Sequence, residues 1–334
     1  MKTFVTGGAG YIGSHTVLEL LREGYEVAVF DNLSNSNKES IARIEIETGK
    51  KIELIIGDIR DQETLQTSLG QFKPDCVIHF AGVKSVNESV SNPFKYYDIN
   101  VNGMLSLLKS MMETNCKRII FSSSATVYGN PDYLPINENH PTVPENPYGK
   151  SKLVCEKILS DLVKSDNNFR AICLRYFNPI GADFTGLIGE YPTDKPNNLL
   201  PYILNVVSGE YPHLNIYGND YQTRDGTGER DYIHVTDVAK FHVKVLEKIL
   251  ILDRFEILNI GTGKCTSVLE LVKAFEQSTG LEVPYFFKNR RDGDVASVWA
   301  DTELAEKKLD FKCERNITQA CADAWRWQGN RFEN

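Results

Sequence analysis

The chain has 334 residues, 41% hydrophobic and 25% charged, which excludes a disordered or fibrous polymer and allows one large α/β unit with an appended lobe. Its 37 basic and 45 acidic residues give a formal charge of −8, which argues against nucleic acid or a membrane surface as partner, so an anionic ligand needs a local basic pocket. Seven scattered cysteines without a Cys-x-x-Cys pair read as reduced thiols, the six histidines lack metal spacing, and no signal peptide or spanning apolar run is visible, so a cytoplasmic protein without a metal is expected.

In chain order, short β-branched runs at Phe4-Val5, Val27 to Phe30, Ile52 to Ile56, Cys76 to Phe80, Ile119 to Phe121 and Ala171 to Leu174 read as buried parallel strands. Helical spacing between them, at Ile12 to Glu23, Phe94 to Thr114 and Tyr148 to Val163, predicts a doubly wound α/β sheet of the Rossmann kind. After about Tyr176 the prolines and glycines multiply, which predicts a smaller ligand-facing α/β lobe. The expected division is a dinucleotide-binding domain over 1–176 and a substrate domain over 177–334, with some later segments returning to the first.

Thr6 to Gly13 follows the first strand and opens the first helix, where Gly7, Gly10 and Gly13 let a dinucleotide pyrophosphate approach backbone N–H groups at the positive helix end. A glycine trio alone also fits a tight turn. Asp31, eighteen positions past the last glycine, ends the second strand where a carboxylate accepts ribose hydroxyls. No arginine stands beside it in Phe30-Asp31-Asn32-Leu33, so NAD is favoured over NADP. Asp58 is placed either to meet the adenine amino group or to serve as a turn or capping acid.

Tyr148 and Lys152 stand four residues apart, hence on one helix face about one turn apart. With 15 tyrosines roughly one such pair arises by chance, and a second one, Tyr191 and Lys195, is present. Both of its members precede prolines and read as loop, whereas Tyr148 follows Pro147 and starts an apolar-periodic segment. A phenol with a pKa near 10 is a poor base unless a cation favours the phenolate, and Lys152 is expected to supply it. At about 6 Å and an effective dielectric of about 20, one charge is worth roughly 2.8 kcal/mol, or about two pKa units. Ser122 to Ser124 follow the fifth strand at the sheet's carboxyl edge, where a hydroxyl can relay a proton or merely form a polar turn.

These segments resemble the extended short-chain dehydrogenase/reductases, and among them the UDP-hexose 4-epimerase branch, over essentially the whole chain. The resemblance is carried by Thr6 to Gly13, Asp31-Asn32, Gly57-Asp58-Ile59, Phe80 to Lys84, Ser122 to Gly129 and Pro147 to Lys152. It continues in Arg175 to Pro179, Pro196 to Leu199, Gly226 to Tyr232 and Arg290 to Asp294.

The resemblance implies that Tyr148 is the base for the sugar 4-hydroxyl, Ser124 its proton-relay partner and Lys152 the ligand of the nicotinamide ribose. It also implies NAD contacts from Tyr11, Ile12, Asn32, Ile59, Phe80, Ala81, Gly82, Lys84, Asn100, Ser122 and Tyr176. For the nucleotide sugar it implies Lys84, Phe177, Asn178, Asn198, Leu199, Asn215, Tyr217, Arg230, Tyr232, Arg291, Asp294 and Val298. Two arginine forks suit a diphosphate in an acidic protein, although either is equally at home in a surface salt bridge. The implied activity interconverts UDP-galactose and UDP-glucose by NAD-dependent oxidation to a 4-keto sugar, rotation, and re-reduction on the opposite face. A homodimer joined through the helices near Phe94 to Thr114 and Tyr148 to Val163 is implied as well, though burial against the chain's own core explains their apolar faces equally.

The alternatives are an epimerase for pentoses or uronic acids, a 4,6-dehydratase, and a non-catalytic NAD-sensing protein. Ala125-Thr126 stands where dehydratases usually carry an Asp-Glu pair, and the Ser124, Tyr148 and Lys152 set disfavours a sensor. Two departures from the family pattern stand out: Asp292 where proline is commoner, and Val298 where many bacterial members carry tyrosine. The smaller Val298 is expected to leave room for UDP-GlcNAc and UDP-GalNAc.

Overall fold

Seven strands, β1 Lys2–Thr6, β2 Glu26–Asp31, β3 Glu53–Ile56, β4 Cys76–His79, β5 Arg118–Ser124, β6 Arg170–Tyr176 and β7 Phe255–Ile260, form one sheet in the order β7-β6-β5-β4-β1-β2-β3. Every neighbouring pair is parallel, which demands crossovers on the sheet's faces. Helices α1 Tyr11–Arg22, α2 Lys38–Thr48, α3 Gln62–Phe72, α4 Gly103–Glu113, α5 Pro147–Ser165 and α6 Val235–Lys248 supply them. The computed structural model describes residues 1–330 apart from 192–195, 197 and 292.

Alternation along each strand divides the core into two layers. Phe4, Val77, Ile119 and Phe121 face Leu65, Leu107, Met111 and Leu159 of α3, α4 and α5, whereas Val5, Val29, Ile78 and Ile120 face Val17, Leu20, Phe241 and Leu246 of α1 and α6. Each such side chain contributes about 1.5–3 kcal/mol when fully buried. Strand order reverses between β1 and β4, which opens a crevice at their carboxyl ends.

Three elements differ from the sequence reading. Strand β7, which the sequence reading does not name, comes from the second half of the chain and carries Asn259, which is fully buried. Its polarity is satisfied: the amide donates to the Ile136 carbonyl at 2.9 Å and accepts from the Tyr128 hydroxyl at 2.6 Å. Strand β5 continues through Ser124, which pairs with Tyr176, so the three serines are strand rather than turn. The expected helix from Phe94 to Thr114 is broken by a π-helical turn, Tyr97–Asn102. That turn carries the buried Asn100, whose amide accepts from Val83 N at 2.9 Å and donates to Val83 O at 3.1 Å and to the Ser151 hydroxyl at 3.0 Å. Such wide turns are common beside functional sites.

The second half adds three small sheets. Asn178–Ile180 pairs with Tyr232–His234, Leu214–Tyr217 with Tyr285–Lys288, and Glu229–Arg230 lies between Thr266–Ser267 and Ser297–Val298. Helices Leu199–Val207, Val268–Thr279 and Ile317–Asn330 contribute to their own apolar cluster. Among the described residues no helix is long and apolar enough to cross a membrane.

Beneath the carboxyl edge, Glu156 of α5 takes a two-pronged bond from Arg175 of β6, Nε to Oε1 at 2.9 Å and Nη2 to Oε2 at 2.6 Å, and accepts from the Ser123 hydroxyl at 2.5 Å. Both charged side chains are 3% exposed, so removing one strands the other charge in the core. Glu156→Ala is expected to lower stability by about 3–5 kcal/mol in urea unfolding with an unchanged m value. A loss below about 1 kcal/mol would show that the pair does not tie α5 to the sheet.

Candidate active site

A cleft of about 1010 Å³ runs along the crevice and is lined by both halves of the chain. At one end the turn after β1 is forced by close packing. Gly7 has φ +71°, and a Cβ there would lie 2.5 Å from Ala81 N; a Cβ on Gly13 would lie 2.2 Å from Gly7 O. Only glycine fits these two positions. Gly10 differs: its φ of −75° suits any residue, and the nearest atom to an added Cβ is Gly7 O at 3.4 Å. It caps α1 without a side-chain bond, and the first turn holds no acidic residue, so the helix's N–H groups suit an anion.

Asp31 lines the same end, 8% exposed. Its carboxylate accepts from Ala9 N at 3.0 Å, Leu33 N at 2.9 Å and the Ser36 hydroxyl at 2.9 Å, which fixes its direction. Arg43 of α2, which lines the cleft, is bonded to Glu39 and to the Leu187 carbonyl and lies over the Trp327 ring at 5.0 Å, which leaves it poorly placed for a ribose phosphate. Asp58 is not a helix cap, since Asp61 caps α3. Asp58 accepts from Arg60 Nε at 2.8 Å, Arg60 Nη2 at 2.9 Å and Asn32 Nδ2 at 3.2 Å, and the guanidinium holds its carboxyl well below the usual range.

The start of α5 is set by Asn146, whose side chain accepts from Gly149 N at 2.9 Å, and by Pro147 in the first turn. This places Tyr148 in the cleft with Lys152 one turn on. Lys152 Nζ donates to the Ser122 carbonyl at 2.7 Å, sits 4.8 Å from the Phe121 ring centre and 6.0 Å from that of Tyr148. Burial pushes Lys152 down to about 8. Burial also raises the Tyr148 phenol, and the Ser124 hydroxyl and the Lys84 ammonium oppose that rise. Lys84, from the loop after β4, thus adds a second cation to the one expected from the sequence, Lys152, which stands 6.0 Å from the Tyr148 ring centre with its hydrogen bond on Ser122. Lys84 in turn meets Glu190 at 3.0 Å. Tyr176, also lining the cleft, donates to His242 Nε2 at 2.6 Å, since His242 Nδ1–H is committed to the Val238 carbonyl at 2.8 Å.

The structure gathers Gly7, Gly10, Tyr11, Ile12, Gly13, Asp31, Asn32, Asp58, Ile59, Phe80, Ala81, Gly82, Lys84, Ser122, Tyr148, Lys152, Tyr176, Asn198, Arg291 and Asp294 on the cleft. The other candidates lie behind or beside it. Asn100 braces the Val83 loop, and Ser124 donates to Thr126 Oγ1 at 2.9 Å. Phe177 is buried with Val127, Tyr128 and Ile136, and Val298 packs against that cluster. Asn178 and Tyr232 are register partners, and Leu199 packs into the second lobe. Arg291 lies over the Tyr217 ring at 3.9 Å, and Arg230 is paired with Asp294. Asn215, two residues before Tyr217 on the same strand, keeps a buried Oδ1 without a partner. Lys195 of the discarded pair and Asp292 lie outside the described residues.

Sequence reasoning missed Glu190, Arg60 and Trp327, all of which line the cleft. Glu190 sits in an irregular stretch without periodicity, and only its Gly189 neighbour, whose Cβ would fall 2.3 Å from Trp327, hints at a tight contact.

Residues 4–324 match the family described as GDP-mannose 4,6 dehydratase. UDP-glucose 4-epimerase of Bacillus subtilis is 50% identical over 330 residues, 99% of this chain and 97% of that one. The human UDP-glucose 4-epimerase is 48% identical over 334 residues, 98% of this chain and 96% of its own. Among solved structures, the Stenotrophomonas maltophila UDP-glucose-4-epimerase with bound NAD and formylated UDP-arabinopyranose superposes with a TM-score of 0.97 at 44% identity, covering 100% of this chain and 99% of that one. The Bifidobacterium longum enzyme in complex with NAD+ and UDP gives 0.94 at 47% identity, covering 99% and 98%. With this identity over its full length, the chain belongs to the UDP-glucose 4-epimerase family of the short-chain dehydrogenase/reductases.

Proposed function

We propose that this protein interconverts UDP-galactose and UDP-glucose, with NAD held along the first half of the cleft. The observation that carries the reading is the placement of Tyr148, with Lys152 one turn on and Lys84 opposite, at the sheet's carboxyl edge between the glycine turn and the Arg291 wall. NAD, when bound, would supply a reversible hydride acceptor for sugar carbon 4.

This chain's own residues do the rest. Tyr148 takes the 4-hydroxyl proton, with Ser124 as its hydroxyl neighbour for relay, and returns it once the 4-keto sugar has turned over. Lys84 favours the phenolate, and Lys152, anchored to Ser122, is placed to hold the nicotinamide ribose. Gly7, Gly10 and Gly13 leave space for the pyrophosphate, with Asp31 and Asn32 at the adenosine ribose and Asp58 and Ile59 beside the adenine. Asn198, Asn215 and Tyr217 suit the uridine part. Arg230, Arg291 and Asp294 suit the diphosphate and ribose. Residues 1–176 with the returning α6 and β7 would serve the cofactor and the remainder the nucleotide sugar. A homodimer fits the apolar side chains left exposed on the short helices Val86–Ser91 and Pro93–Tyr96, with Phe94 at 86% and Val90 at 65%, and a cytoplasmic location is kept as the sequence-based expectation.

Purified protein incubated with UDP-galactose is expected to yield UDP-glucose, and Tyr148→Phe to lower turnover about 10²–10⁴-fold with NAD binding nearly unchanged. Equal loss of NAD binding in Tyr148→Phe would overturn the assignment of Tyr148 as base.

Gly10→Ala separates a cofactor cradle from a mere turn, because the empty fold tolerates it. Melting temperature should hold while NAD affinity falls about tenfold or more, a change of about 1.4 kcal/mol. Unchanged affinity would place the pyrophosphate elsewhere.

A finer reading concerns the hexose pocket. Val298, half-buried beside the cleft against the Phe177 cluster, brings no aromatic ring toward it, which supports UDP-GlcNAc and UDP-GalNAc as further substrates. Val298→Tyr should lower turnover of the acetylated sugars about tenfold or more while sparing UDP-galactose. Undetectable acetylated conversion by the unaltered protein would remove this reading.

A further inference from the structure

One carboxylate in the cleft has no part in the scheme above. Glu190 Oε1 lies 3.0 Å from Lys84 Nζ and accepts from Asn198 Nδ2 at 2.9 Å, so a single oxygen joins the loop after β4 to the segment that opens helix Leu199–Val207. Its side chain is 12% exposed, against 54% for Lys84. The backbone holds it there: the Glu190 carbonyl accepts from Trp327 Nε1 at 3.3 Å, and Gly189 packs against the same indole too tightly for a Cβ. Glu190 is thus supported from the C-terminal helix and aimed at two groups that the proposed reaction uses.

We infer that Glu190 is a positioning residue: its carboxylate holds Lys84 and Asn198 across the cleft and offsets part of the positive charge that Lys84 presents to Tyr148. This rests on the epimerase reading for the roles of Tyr148 and Asn198, whereas the contacts themselves do not. The groups facing Tyr148 are Lys152 on its own helix, Ser124 at the end of β5, Tyr176 at the end of β6, Lys84, and the Tyr96 ring at 6.4 Å, whose hydroxyl is bonded to Glu88. Glu190 and Tyr148 both favour the charged form of Lys84, so the two compete for one cation. The carboxylate therefore restrains the phenol's ionisation while holding the Lys84 ammonium in place.

Glu190→Gln tests this, because it keeps an acceptor oxygen and removes the charge. The acid limb of kcat/KM for UDP-galactose should move to lower pH by about half a unit, with KM little changed. The ultraviolet titration of Tyr148, taken as the difference between Glu190→Gln chains with and without Tyr148→Phe, should move the same way. Glu190→Asp keeps the charge and should restore the limb toward its original position, whereas Glu190→Ala should also raise KM as Asn198 loses its partner. A limb and a titration that stay in place in Glu190→Gln, with turnover retained, would overturn the inference and leave Glu190 as loop packing alone. If the unaltered protein does not turn over UDP-galactose, the epimerase reading fails, and the titration still decides whether Glu190 charge reaches Tyr148.

Discussion

Tyr148 is a phenol with a reference pKa near 10, so a site that uses it has to bring positive charge close to it. Much of the sheet's carboxyl edge follows from that requirement. Lys152 is fixed by the Ser122 carbonyl, at a strand end that exists because β5 runs on through Ser124. Lys84 is delivered from the loop after β4, beside Val83, which the buried Asn100 amide grips by both its N–H and C=O. The Glu156–Arg175 pair joins α5 to β6 just below, which keeps the helix register that sets Tyr148 and Lys152 on one face. Burial works against both charged states, raising the phenol and lowering Lys152 to about 8, so small changes in local charge decide how the site titrates.

The same logic divides labour between the two lobes. The parallel sheet offers rigid strand ends and a helix N-terminus, which suit a ligand whose position is not to change. The second lobe presents side chains on short strands and loops: Arg291 stacked on Tyr217, Arg230 paired with Asp294, and Asn198 ahead of its helix. In the proposed scheme these groups hold the nucleotide end of the substrate, while the hexose ring has to be free to turn.

The strands of the first half were legible because parallel sheets bury both faces and write themselves as β-branched runs, and the glycine turn because φ and packing at Gly7 and Gly13 admit nothing larger. Strand β7 was hidden by Glu256 and Asn259, whose polarity is met by partners more than 50 residues away, among them Lys308 for Glu256 and Tyr128 and the Ile136 carbonyl for Asn259. The π-helical turn at Tyr97–Asn102 leaves no periodicity signal of its own, since it is specified by what Asn100 bonds in three dimensions. The Tyr148 and Lys152 pair could be read from spacing. That Lys84 joins Lys152 near the phenol could not, because it depends on where the Ser122 carbonyl and the Glu190 carboxylate hold each ammonium.

The central claim is that a phenolate removes the hydroxyl proton while the hydrogen on carbon 4 leaves and returns within one closed site. UDP-galactose carrying deuterium at carbon 4, turned over in ordinary water, tests it directly. The account predicts UDP-glucose with the deuterium retained at carbon 4. Product in which that deuterium has been replaced by solvent hydrogen would contradict it.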